Sequence, residues 1–322
     1  MSAASLSCAT KSQMDAINSR RLAATASLLM AFAACTGQPG YSSSSPTPQS
    51  TTNSSGLSSP QPKAFAAWRT FPADAKPRPL VMLWNFSPQK GFSSGDGKMA
   101  LLCNRFALDG YLPTDAPPFA GAAWADGTLA SYRATSAAYA YQAMTSAAPA
   151  ASGPQCTTVE PIVVTAAHLG TFPFETDRGL AQISAWLFAA RTAGSEIAYP
   201  AVSSSDIWGG GVTAWSQLRG ATVSTDGRLL TVAYNGRPPC GLSYKASVAE
   251  SPTAVVVTLT GVSNSPPATS LVCPAVATGG EPVTVAIAAP LGGRVVVDPS
   301  AAVVPICPDA RPPGCYYTYP AA

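Results

Sequence analysis

Gly91-Phe92-Ser93-Ser94-Gly95 has the G-x-S-x-G spacing of a nucleophile elbow, and the chain's single histidine, His168, follows it with Asp109, Asp115 and Asp126 in between. The order Ser, Asp, His is that of α/β-hydrolases, in which an imidazole base takes the proton of an attacking hydroxyl. The surroundings weaken that assignment. Ser87-Pro88-Gln89-Lys90 separates the motif from the preceding apolar run, whereas an elbow turns directly off its strand. No His-Gly-Gly stretch precedes it to furnish oxyanion donors. A chain with 26 Gly also meets so short a pattern by chance. The motif therefore reads first as a helix-capping loop, and a secreted serine hydrolase using Ser93 and His168 is the alternative.

His168 falls in the alternating run Val164, Ala166, His168, which places it on one face of a strand, packed or hydrogen-bonded. A lone histidine excludes a His-rich zinc site, and disulfide-paired cysteines are poor ligands, so no metal and no cofactor is expected. Glu175 and Asp177 fall well short of the six to eight oxygens calcium takes. The remaining binding candidates are Asp177 and Arg178 at a turn, and Trp208 and Trp215 in a Gly-rich stretch where an exposed ring would stack on a sugar or anchor a partner. Tyr316, Tyr317 and Tyr319 belong to the same aromatic class.

Six cysteines follow Cys35: Cys103, Cys156, Cys240, Cys273, Cys307 and Cys315. An even number in an exported chain favours disulfides. Sequential pairing is expected, Cys103 with Cys156, Cys240 with Cys273 and Cys307 with Cys315, the last closing a short loop through Pro312-Pro313-Gly314.

The elements that must position these residues are legible in outline. Leu80 to Trp84 is an apolar run suited to a buried strand. Asp96 reads as the N-cap of a helix from Gly97 to about Leu108, and Thr128 as the start of a second helical stretch ending near Pro149. Ile162 to Phe174 and Ile183 to Ala190 read as a hairpin turning at Glu175-Thr176-Asp177-Arg178-Gly179, with Trp186 and Phe188 on one face, and Glu196 to Val202 as a further strand. From about Ala221 the pattern is strand-rich, at 229–234, 242–249, 253–260, 282–288 and 294–298. The expected fold is α+β: an antiparallel sheet with two helices in the N-terminal half, and a small all-β C-terminal half, stapled by disulfides.

Upstream of all this, Arg20-Arg21 precedes the apolar run Leu22 to Ala34, which ends Phe32-Ala33-Ala34-Cys35. This has the order of an export signal closed by a lipobox, and it is shorter than a span of the hydrocarbon core. Cys35 would then carry the lipid, palmitate among its acyl chains, and the membrane would be a partner through that anchor. Cleavage at Ala31-Phe32-Ala33 without lipidation is a second option, Arg20-Arg21 is a partial twin-arginine pattern, and Met14 would give a signal of ordinary length. The divisions are residues 1–34 as signal peptide, 35–63 as a Ser/Thr/Pro-rich disordered tether, 64–205 as an α+β subdomain, 206–220 as a Gly-rich connector and 221–322 as a β-rich subdomain with a disulfide-closed tail. A coil of that tether's length holds the domain on the order of 30 Å from the membrane. With 19 Lys+Arg against 16 Asp+Glu, the charge is too balanced for a nucleic-acid partner. An envelope protein or a glycan remains as the partner class.

Thr176-Asp177-Arg178-Gly179 with Ala185-Trp186-Leu187-Phe188, then Cys240, Glu250-Ser251, Ala254-Val255-Val256-Val257, Cys273-Pro274 and Ala289-Pro290-Leu291-Gly292-Gly293-Arg294-Val295-Val296-Val297, resemble a widespread set of exported proteins and lipoproteins of actinobacteria. The resemblance implies an envelope location and an α+β domain, and it carries no activity and no catalytic residue.

Overall fold

A computed structural model describes residues 61–84, 87–88, 92, 94–147, 151–191, 194–209, 216, 218–234, 242–263 and 282–307. The N-terminal half contains α1 (Gln61–Trp68), β1 (Ser87–Pro88), α2 (Gly95–Leu102), β2 (Phe106–Leu108), β3 (Ala120–Trp124), β4 (Leu129–Tyr132), α3 (Ala137–Thr145), α4 (Gln155–Thr158), β5 (Ile162–Thr176), β6 (Gly179–Ala190) and β7 (Ile197–Pro200). The fold is α+β and rich in sheet, as its pattern implies.

Local chemistry shortens both expected helices. α2 is capped by the Ser94 hydroxyl, which accepts from Gly97 N–H at 3.2 Å, rather than by Asp96. It stops at Leu102 instead of Leu108, because Asn104 takes a left-handed conformation (φ 52°). Arg105 N–H then donates back to Ala100 O at 2.8 Å and Asn104 N–H to Leu101 O at 3.0 Å, a Schellman motif. The Asn104 amide in turn donates to Thr145 O and Ala147 O, closing the end of α3. The stretch from Thr128 opens as strand β4 rather than helix, because Asp126-Gly127 makes a hairpin: Gly127 has φ 83° and the Asp126 carboxylate accepts from Thr128 N–H. The helix begins only after Ser136, whose hydroxyl accepts from Tyr139 N–H.

β5 and β6 form the expected hairpin, with Thr176 opposite Gly179 and Asp177-Arg178 as the two-residue turn. The sheet is ordered β1-β7-β6-β3-β4 with β5 on the other side of β6 and β2 parallel to its start. It wraps around Met82, Trp124, Phe172, Phe174 and Ile183, and bridges Leu80 to Ile207 and Met82 to Thr176 draw the N-terminal segment into that core. Its opposite face, with Trp186 and Phe188 side by side as period two requires, is covered by Ala100 of α2 and Ala137, Ala140 and Met144 of α3. Cys103 and Cys156 form a disulfide joining the end of α2 to α4. Cys307 is disulfide-bonded as well, while Cys35, Cys240, Cys273 and Cys315 lie outside the described residues.

The C-terminal half contains β8 (Leu218–Val223), β9 (Leu229–Tyr234), β10 (Leu242–Glu250), β11 (Ala254–Ser263), β12 (Val283–Ala286) and β13 (Val295–Val297), in two three-stranded sheets ordered β12-β9-β8 and β10-β11-β13. β8 opens inside the stretch read as a connector. Val255, Val257 and Val296 face a core shared with Leu230 and Val232, and Ala254, Val256, Val295 and Val297 face Ala64, Trp68 and Phe71 on the other side. Burial on both faces is why residues 254–257 form an unbroken apolar run with no polar alternation. Among the described residues no helix is long and apolar enough to cross a membrane.

Residues 61–84 therefore belong to both halves. The Trp68 indole donates to Ala301 O at 3.2 Å, and Ala73 lies so close to Gly293 that a Cβ there would stand 2.0 Å from Ala73 O. Only glycine fits that crossing. Gly293→Ala is expected to cost about 1–3 kcal/mol in urea unfolding, because the contact is with backbone and cannot rotate away. Gly95→Ala, with open space around it, should stay within about 0.5 kcal/mol of the parent and serves as the control.

Candidate functional site

The hairpin tip read as a binding loop faces inward. Asp177 is 4 % exposed, and its carboxylate receives both terminal nitrogens of Arg78, Nη1 to Oδ1 at 3.2 Å and Nη2 to Oδ2. Arg78 Nε also donates to Gly293 O at 2.7 Å, and its guanidinium carbon stands 4.6 Å from the centre of the Phe71 ring. The Asp177 backbone is tied on both sides, its N–H donating to Val81 O and its C=O accepting from Ile306 N–H. Tyr132 closes the cluster, donating its hydroxyl to Arg78 O at 3.0 Å, and burial pushes its phenol up to about 12, so it remains a neutral donor.

Asp177 and Arg178 do not pair with each other. Arg178 turns outward, its guanidinium carbon 4.7 Å from the centre of the Trp124 ring and a nitrogen 4.0 Å from the Asp126 carboxylate. The Asp126 carboxyl is held below the usual carboxylate range chiefly by the Thr128 backbone N–H, against the opposing effect of burial. The turn itself is secured by Thr176, whose hydroxyl donates to Gly179 O and accepts from the Trp124 indole.

The β-bulge between Val164 and Ala166 shifts the alternation of β5, so His168 does not share the buried face of Val164. Its side chain is 60 % exposed, with Nδ1 3.4 Å from the Glu196 carboxylate. The acid beside it is thus Glu196, while Asp109 pairs with Arg191 and Asp126 with its own turn. Ser93 lies outside the described residues, and so does Trp215. Trp208 is not an exposed anchor: its ring stacks on Trp68 with centroids 6.2 Å apart and meets Phe71 edge-on at 5.2 Å. Trp208 N–H donates to Leu80 O at 2.7 Å, which holds the residue against the core. Among the described residues no three His, Cys, Asp or Glu side chains gather as a metal site.

A feature that sequence reading passed over lies on β5, residues 166–173 of which pair on one side alone, with β6, among the described residues. Pro173 was its signal, since proline within a sheet is confined to edges and bulges. Arg78 was also missed, although a lone arginine between Pro77 and Pro79 just before an apolar run is suited to entering a core paired. No family model, curated protein or solved structure matches the chain.

One residue beyond Gly293, Arg294 Nη1 donates to Glu250 at 2.7 Å, and Glu250 also accepts from Ala288 N–H at 2.6 Å. Burial opposes its charge, but these donors outweigh it and hold the carboxyl below the ordinary range.

Removing one member of the buried pair, by Arg78→Ala or Asp177→Ala, leaves the other charge stranded and should cost about 3–5 kcal/mol in urea unfolding, with the double variant costing less than the two single losses added together. Glu250 gives a pH signature. Its folded pKa lies below an unfolded value of about 4.3, so its contribution is complete above that value and is lost as pH falls through the folded pKa. Unfolding midpoints should drop between about pH 5 and pH 3, and Glu250→Gln should flatten that part of the profile.

Proposed function

We propose that the chain is an exported lipoprotein, held on the outer face of the cytoplasmic membrane through a lipid on Cys35, whose folded part is a non-enzymatic binding or structural module of the cell envelope. The observation that carries this reading is the block from Arg20 to Cys35, basic pair, apolar run, small residues and cysteine in order, followed at once by a Ser/Thr/Pro tract. The Cys103–Cys156 disulfide supports it, since such bonds persist in oxidising compartments outside the cytosol. The resemblance to actinobacterial exported proteins points the same way.

The module reading rests on how the charged groups are used. Arg78 and Asp177 join three segments of the chain, and Arg294 and Glu250 clamp residues 288–291. Each of these groups is saturated by contacts within the fold, which leaves it a structural rather than a reactive role. The partner class is an envelope protein or glycan.

Intact mass of the membrane-extracted protein, before and after reduction and alkylation, tests the anchor. The expected species begins at an acylated Cys35, and Cys103, Cys156 and Cys307 alkylate only after reduction. Cys35→Ala should move the protein from the membrane fraction to the soluble one. A mature chain that begins at a later, unmodified residue would overturn the anchor.

A further inference from the structure

The outer edge of β5 is occupied at both ends by the chain itself. At one end β2 pairs with it in parallel and Asp109 N–H donates to Val164 O at 2.8 Å. At the other, Leu83 N–H donates to Glu175 O at 3.0 Å, beside the bridge from Met82 to Thr176. Backbone groups of an antiparallel strand alternate between its two edges. The outward phase that includes Glu175 therefore includes Pro173, Thr171, Leu169 and Ala167, and the bulge after Val164 resets it at the β2 end. Ala167, Leu169 and Thr171 each direct an N–H and a C=O outward with no partner among the described residues, and Pro173 adds a C=O. The result is a gap within a row of strands, with the row resuming on either side.

We infer that this gap accepts a short extended segment of a partner protein, added as a strand between β2 and residues 81–83. The inference rests on the binding-module reading above and names its site. A row of alternating backbone donors and acceptors is complementary to another backbone, the basis of recognition by strand addition. The length of the gap selects the occupant. Residues 166–173 span about 26 Å at roughly 3.3 Å each, whereas β5 itself runs from Ile162 to Thr176. Symmetric pairing with β5 of a second copy would drive the ends of that strand into β2 and residues 81–83, so a short segment fits and a second β5 does not. Leu108 and Leu169 stand on one face of the row, opposite Val164 and Trp186 respectively, and are 46 % and 45 % exposed. An added strand places every second side chain on the face that carries them, so the segment should be apolar at those positions.

The test pans a phage-displayed library of random peptides about eight residues long against the purified full-length protein and follows amide hydrogen exchange by NMR. Exchange at Ala167, Leu169 and Thr171 is expected to be fast in the free protein and to slow about tenfold or more when a selected peptide binds. Thr171→Pro removes one outward N–H and sets a ring in the path of the added strand; Pro173 already occupies the same phase. It should weaken peptide binding about tenfold or more and leave β6 protection and the melting temperature unchanged. If it lowers the melting temperature, Leu169→Lys replaces it and should weaken binding of the same peptides. The inference is overturned if no peptide is selected, if the three amides are already protected in the free protein, or if binding survives both substitutions without slowing them. Binding of a purified wall glycan with these amides unchanged would also overturn the gap as the site and would leave the module reading standing. Membrane retention of Cys35→Ala would count against the anchor alone.

Discussion

The ion pair between Arg78 and Asp177 is the constraint on which the arrangement of the chain turns. Neither charge tolerates burial alone, so each fixes the position of the other, and both are embedded in backbone contacts that reach Val81, Gly293 and Ile306. One arginine thereby ties the N-terminal segment, the tip of the long hairpin and the C-terminal segment to a single point. With its turn residue bound from beneath, the hairpin is held at the tip as well as along its sides.

A second consequence follows for the two halves. The seven-stranded sheet and the pair of three-stranded sheets are built from separate stretches. They are not independent bodies, because residues 61–84 form the cover of one and a strand-like part of the other. β11 and β13 depend on that cover: without α1, Trp68 and Phe71, the outward face of Val256, Val295 and Val297 would meet water.

What could be read in advance depended on whether the signal was periodic or local. The hairpin of β5 and β6, the shared face of Trp186 and Phe188, the strand through Ala254 to Val257 and the Cys103–Cys156 bridge all follow from spacing. Element ends did not, because they turn on single residues with competing uses. Asn104 looks like an ordinary helical position until it closes a Schellman motif, and Asp126-Gly127 has to be weighed as a turn against an apparently helical run beyond it. His168 was placed on the wrong face because one inserted residue at the bulge reverses the phase of everything after it. The inward orientation of Asp177 was hidden for a different reason, since its partner stands 99 residues earlier. No local pattern reports a contact of that range.

The crossing of Ala73 over Gly293, together with the bond from the Trp68 indole to Ala301, has a bearing on the order in which the molecule can be completed. Trp68 finds its partner 233 positions further along the chain, and Ala73 meets Gly293 at a similar remove. Closing so long a loop is entropically costly and postpones the reward until both of its ends are in place. Residues 61–84 are thus expected to settle after the local hairpins of the sheets they join.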